Sequence, residues 1–185
     1  MQQRSGLHVL IETLEGVRTQ SGERLVQLAE ASPVMLVFLR HAGCTFCREA
    51  LGDIARARRA IEATGTRIIL VHMGDTQAIV SIVEKHGLST LDRICDPEQQ
   101  LYRAFGLKRG KLRQLLGPKV MLRGFQAAVL GRHGIGWPAA DSAQMPGLFL
   151  IDGSGIIRRF RHRTAADRPD YSALGEAPAG PGSSL

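Results

Sequence analysis

Two thiols in Cys44-Thr45-Phe46-Cys47 are the residues of this sequence whose types and spacing can do chemistry directly. At the start of a helix, thiols three positions apart face each other and close a small disulfide ring. The exposed first-turn amide N–H groups favour a thiolate there, so a cysteine pKa falls below its free value of about 8.5. The thiolate attacks, and the second thiol resolves the mixed disulfide. Arg40, His41 and Arg48 add positive charge nearby. Two blander uses of the pair stay open. Zinc would need two more ligands from Cys95 and His72 or His41, and no second ligand pair has metal-site spacing. Alternatively, both cysteines are inert structural residues. Cys95 itself, alone on an apolar segment, reads as a small core residue.

The elements that must position the pair follow from the hydrophobic pattern. Val34–Leu39 is an uninterrupted apolar run, the pattern of a strand buried on both faces. A loop, Arg40–Gly43, leads into a helix from about Cys44 to Ala63, with Leu51, Ile54, Ala57 and Ile61 at helical spacing. A second buried strand is expected over Arg67–Met73, then a helix capped by Asp75 or Thr76 and running to His86. Arg93–Asp96 is a short third strand, and Pro97 is expected to open a helix over Glu98–Phe105. Alternation of this kind means an α/β fold with parallel strands. Gly147–Ile151 and Ile156–His162 around Asp152–Gly155 form a final hairpin. The glycine-rich stretch of about 108–145 breaks the rhythm and is read as a helical insertion, with a helical piece at about Val120–Leu130. Residues 1–174 are read as one domain and 175–185, rich in Gly, Pro, Ser and Ala, as a disordered tail.

Composition excludes several classes. A chain of 185 residues, 44% hydrophobic and 22% charged, is long enough for one soluble domain with a core of its own. No apolar run approaches the roughly 20 residues of a membrane helix. The polar start, Met1–Gly6, lacks a signal core, and three cysteines do not make a secreted disulfide framework, so a cytoplasmic protein is expected. A net charge of +7 favours anionic partners without specifying one. Arg158–Arg163 is basic, but a strand splits such a run between two faces and no aromatic stacking platform accompanies it. Nucleic-acid binding is therefore not expected, and a charged edge strand is.

Met145-Pro146-Gly147, just before the strand Leu148–Ile151, is the second signal. In the thioredoxin fold a cis-proline occupies that place and faces the CxxC pair. Phe38–Glu49, with its Phe-Leu-Arg-His strand end before the CxxC, resembles the peroxiredoxin-like branch of the AhpC/TSA family, close to the selenoprotein L-like redox proteins. Asp96–Gly106, Gly147–Arg158 and Arg161–Pro169 are similar to the Asp-Pro, final-hairpin and closing segments of that branch, so the resemblance covers roughly Val34 to Pro169.

The resemblance implies a thioredoxin-like fold with a helical insertion before the final β-hairpin. It also implies a thiol-dependent oxidoreductase that reduces hydroperoxides or exchanges with protein disulfides, without a bound cofactor. A thioredoxin- or glutathione-type donor would return the electrons. Where typical peroxiredoxins have a threonine three residues before the peroxidatic cysteine, this chain has Cys44; Cys47 takes the peroxidatic position. In thioredoxins the same positions are the attacking and resolving cysteines, and Cys44 is expected to be the more exposed. The peroxiredoxin arginine before the Gly-Leu-Phe strand is replaced by Pro146, leaving Arg40 or Arg123 to polarise a peroxide. The site residues expected are thus Cys44, Cys47 and Pro146, supported by Arg40 and Thr45. The alternative functions are a non-catalytic thioredoxin-fold binding module with a basic surface, and a zinc-binding CxxC.

Overall fold

The two uninterrupted apolar runs become strands β1, Val34–Phe38, and β2, Arg67–His72, paired in parallel from Val34↔Arg67 to Phe38↔Val71. Strand β3, Asp92–Cys95, continues the parallel sheet beyond β2. On the other side of β1 lies β4, Gly147–Asp152, antiparallel to it, followed by its hairpin partner β5, Gly155–Arg161. The resulting five-stranded order is β3-β2-β1-β4-β5. The helices are α1 (Leu25–Ala31), α2 (Thr45–Ala63), α3 (Thr76–Lys85), α4 (Gln100–Ala104) and α5 (Tyr171–Gly175). The structure, a computed structural model, describes residues 13–74, 76–110, 143–164 and 166–176.

Strand alternation sorts the core into two layers. Met35 and Val37 of β1, with Ile68, Leu70, Leu148 and Leu150, pack against Leu51, Ile54 and Ile61 of α2 and Ile79 and Val83 of α3. Leu36 and Phe38, with Ile69, Val71, Phe149 and Ile151, pack on α1 and α4. A run of β1 that is apolar at every position is therefore explained: both of its faces are covered. Phe38 is the hub of the second layer. Its ring meets Tyr102, Phe105 and Phe149 at centroid distances of 4.9, 5.2 and 5.6 Å.

This is the expected α/β architecture with a thioredoxin-like arrangement of parallel strands and final hairpin. Local differences have local causes. Pro97 does not open a helix. Asp96 caps one instead, its carboxylate accepting from the backbone N–H groups of Gln100 (2.9 Å) and Leu101 (2.8 Å), after Gln99 takes a left-handed conformation at φ 58°. Gly175, assigned by composition to the tail, is the last residue of α5. It packs against Ile61 and Met35, and its carbonyl accepts from Thr66 Oγ1 at 2.7 Å.

The bulk of the insertion, 111–142, lies outside the described residues, as do Arg123, the helical piece expected at 120–130, and Asp75. What the structure does show is its neck. Arg109 bridges Gln144 in antiparallel fashion, and Gly110 N–H donates to Ala143 O at 2.6 Å. The buried Gln144 amide donates to the Leu107 carbonyl at 3.1 Å. The chain thus leaves and re-enters the domain at one point. Among the described residues no helix is long and apolar enough to cross a membrane.

Candidate active site

Strand β1 ends at Phe38 in the middle of the sheet, and the chain then climbs through Leu39–Gly43 to the start of α2. This handover fixes both thiols. Cys44 is the N-cap of α2, with extended backbone angles of −76° and 118°, and Cys47 lies in the first turn. The CxxC spacing therefore places one sulfur at the mouth of the helix and the other one turn in, on the same side. Cys44 and Cys47 are both buried, at 6% and 3% exposure, so the difference between them is small. Neither is in a disulfide.

Arg40 contacts both sulfurs. Its backbone N–H donates to Cys47 Sγ at 3.2 Å, and its guanidinium Nη1 donates to Cys44 Sγ at 3.5 Å. Arg40 is itself buried, so its charge acts with little screening. The Cys44 pKa is lowered to about 6 because the Cys47 thiol donates to its sulfur, with Arg40 and the first-turn amides of Phe46 and Cys47 adding to the effect against the opposing pull of burial. Those two amides act by proximity, without a well-formed cap hydrogen bond to Sγ. Cys47 moves the other way: donating to Cys44, burial and the adjacent Cys44 charge push its pKa well above the ordinary thiol value. The two thiols are thus split into one thiolate and one retained proton.

The remaining sequence candidates fall around this pair. Thr45 is the first residue of α2 and half-buried. Pro146 precedes β4, where the register ends at Phe38↔Gly147, and lines the same cleft as Cys47 and Arg40. No peptide bond among the described residues is cis, so the bond before Pro146 is trans, unlike the cis-proline the thioredoxin resemblance implies. The chain enters β4 in extended form straight from the insertion neck, where Met145 N–H donates to Lys108 O at 3.1 Å.

His41, expected to add positive charge beside the thiols, is buried; burial first, and then Arg40, lower its pKa to about 4 and keep it neutral, so it supplies no charge there at neutral pH. Cys95 reverses the core expectation. It is exposed, because β3 is short and Ile94 alone in it is buried. Among the described residues no group of three His, Cys, Asp or Glu side chains is arranged to hold a metal ion, so the zinc reading has no ligand set there.

Several residues at the site were not singled out by sequence. The cleft beside Cys47 is also lined by Glu49 and Asp53 of α2 and by His162, Asp167 and Arg168 of the closing segment. Arg168 clamps that segment to α2, donating to Asp53 at 2.5 and 2.6 Å and lying 3.8 Å from Glu49. Tyr102 supports the site from beneath. Its hydroxyl donates to the Leu39 and Val71 carbonyls and fixes the exit of β1. The available signal was two acids, Glu49 and Asp53, one turn apart on a helix whose other residues there are apolar. The basic run on β5 is spent partly on structure: Arg158 donates to Ala173 O, and Arg161 donates to Phe105 O at 2.7 Å while lying over the Phe149 ring.

A strand-to-helix CxxC with split acidities on this sheet order now meets its relatives. The model of the AhpC/TSA family matches residues 14–160. The chain belongs to the AhpC/TSA family. The chain is 25% identical to prostamide/prostaglandin F synthase of Danio rerio over 178 residues, spanning 93% of this chain and 85% of that protein. Identity to the Salmo salar protein of the same name is 32% over 95 residues, 50% of this chain and 46% of that one.

Solved structures agree on the fold. The bacterioferritin comigratory protein of Xanthomonas campestris aligns with a TM-score of 0.55 at 14% identity, covering 81% of this chain and 82% of that one. A secreted Mycobacterium tuberculosis disulfide oxidoreductase homologous to E. coli DsbE aligns with a TM-score of 0.55 at 15% identity, over 89% and 96%. Family membership and the paired thiols together mark this AhpC/TSA chain as a thiol oxidoreductase.

Proposed function

We propose that this AhpC/TSA-family oxidoreductase works by dithiol–disulfide exchange, with Cys44 as the attacking thiolate and Cys47 as the resolving thiol. The observation that carries the reading is the split acidity of the pair: Cys44, at about 6, is ionised at neutral pH, while Cys47 keeps its proton and donates it to Cys44. Attack by Cys44 on a substrate disulfide forms a mixed disulfide, and Cys47 displaces the substrate to close the ring. When the ring is later reduced, the Arg40 N–H at 3.2 Å from Cys47 Sγ stabilises the sulfur that leaves. A thioredoxin- or glutathione-type thiol supplies those electrons. Pro146 borders the approach, and Thr45 and Arg40 support the thiolate.

Hydroperoxide reduction is the second reading, favoured by one observation. The cleft opens on Cys47, the position of the peroxidatic cysteine in the resembling family, and its volume of about 20 Å³ admits roughly one water-sized molecule. There Cys47 Sγ would bond to the attacked oxygen and become a sulfenic acid as the O–O bond breaks and the other oxygen leaves as water or an alcohol; Cys44 would then condense with it, forming the disulfide and releasing water. Single-turnover mixing of the reduced protein with a disulfide-bonded peptide or with hydrogen peroxide, followed by intact mass, separates the two. Exchange predicts a transient peptide adduct and faster oxidation by the peptide. Oxidation by peroxide far faster than a free thiol, with no peptide adduct, would replace it with the peroxidase reading.

A further inference from the structure

Cys47 poses a problem for the exchange reading. It must lose a proton when it attacks, yet its thiol is buried and its acidity is suppressed. A base has to reach it through the cleft it lines. The charged and titratable groups around that cleft are Arg40, Glu49 and Asp53 on the β1–α2 side, and Asp167, Arg168 and Tyr171 on the closing segment. The carboxylates among them are engaged. Asp53 accepts two hydrogen bonds from Arg168, and Glu49 pairs with the same guanidinium. Asp167 accepts from the backbone N–H groups of Arg163 (2.6 Å) and Thr164 (3.1 Å) and from Thr164 Oγ1 (2.7 Å). Tyr171 is buried, and that burial, ahead of the nearby acidic groups, pushes its pKa well above the ordinary phenol value, so it keeps its proton and cannot accept another at neutral pH.

His162 is different. It follows β5 directly, at the point where Arg161 pairs with Gly147, and it lines the cleft together with Cys47 and Pro146. Its Nδ1 is buried and has no hydrogen-bond partner among the described residues. The Phe160 ring meets the imidazole edge-on at a centroid distance of 5.1 Å and fixes its plane. Burial first of all lowers its pKa and keeps it neutral, while Asp167 and the backbone at Pro146 and Asp167 pull the other way and stabilise the cation once it forms. A neutral imidazole with an unused nitrogen, ready to be charged, is the form a proton acceptor needs.

We propose that His162 is the base that accepts the Cys47 proton as Cys47 attacks the mixed disulfide on Cys44. The proposal rests on the exchange reading and adds its missing group. In the step, the Cys47 S–H bond breaks and its sulfur bonds to Cys44 Sγ. The bond between Cys44 and the substrate sulfur breaks, the substrate leaves as a thiolate, and the proton resides on Nδ1 until it passes to that thiolate or to water.

The test uses the full reduced chain mixed with dithiodipyridine, whose two thiopyridone groups are released in sequence. The first reports attack by Cys44 and the second reports ring closure by Cys47. In His162→Asn the first phase is expected unchanged and the second slowed about a hundredfold at neutral pH. It recovers as pH rises and on addition of free imidazole, which a merely structural loss would not give. His162→Gln, checked for an unchanged urea midpoint, repeats the measurement should the asparagine variant fold poorly. A second phase as fast as wild type in either variant, or a slowing that neither alkali nor imidazole relieves, overturns the assignment. Absence of the first phase in the wild type would instead remove the exchange reading, and this proposal with it.

Discussion

Arg40 holds Cys44 by its side chain: guanidinium Nη1 lies 3.5 Å from Cys44 Sγ, at the last turn of the chain before α2 begins. The charge is buried beside the sulfur it stabilises, which makes it worth more than the same pair in water. Replacing Arg40 with Gln should raise the Cys44 pKa from about 6; a rise of about one unit would cut the thiolate present at neutral pH, and with it the rate of alkylation by iodoacetamide, about twofold. The rate–pH profile of the reduced protein checks this, and an unmoved midpoint would leave Cys47 and the helix start as the whole cause.

The same acidity must appear in stability. Cys44 releases its proton in the folded state near pH 6 and, at its ordinary value of 9.0, in the unfolded chain only near pH 9. Between those limits the unfolded state binds more protons, so stability rises with pH. The contribution is fully present above pH 9 and is lost as pH falls through 6. The urea midpoint of the reduced wild type, minus that of Cys44→Ser, should climb across this window; a flat difference would contradict the split-acidity account.

Tyr102→Phe removes the hydroxyl that donates to Leu39 O. The Val71 carbonyl keeps a partner in Leu39 N–H at 2.8 Å, so the loss falls mainly on Leu39 O, buried at the exit of β1. A cost of about 1–3 kcal/mol is expected in urea unfolding. Because the same turn carries Arg40, the rate of Cys44 alkylation should fall as well.

How much of this was legible beforehand depended on the range of the interaction. The CxxC pair was readable because its geometry is local: three positions at a helix start bring two sulfurs together whatever the rest of the chain does. β1 and β2 were readable because both faces of each are covered, which leaves an apolar run. Cys95 misled, since the apolar look of a four-residue strand says little when only one of its residues is buried. Pro97 suggested a helix start that the Asp96 carboxylate places later. The clamp of Arg168 on Asp53 joins residues 115 apart, and no periodicity marks such a pairing.

That clamp is testable. Arg168→Ala leaves Asp53 with Arg56 alone and frees the closing segment from α2. Arg168 is about half exposed, so a loss of only about 1 kcal/mol is expected. The sharper readouts are faster proteolytic cleavage within 163–170 and easier alkylation of Cys47.

Gly175→Ala asks whether α5 belongs to the domain. An added Cβ would meet Ile61 at 2.8 and 2.9 Å and Met35 at 3.2 Å, in the core layer under α2. The β-branched Ile61 has little room to yield, so destabilisation of about 1–3 kcal/mol is expected. A neutral substitution would show this residue to be part of the tail after all.

The central claim is that Cys44 attacks and Cys47 resolves. The most direct measurement is intact mass after brief mixing of each single variant with a disulfide-bonded peptide. Cys47→Ser should accumulate a stable peptide adduct on Cys44, and Cys44→Ser should accumulate none. Rapid adduct formation in Cys44→Ser, with Cys47→Ser inert, would contradict the account and make Cys47 the nucleophile.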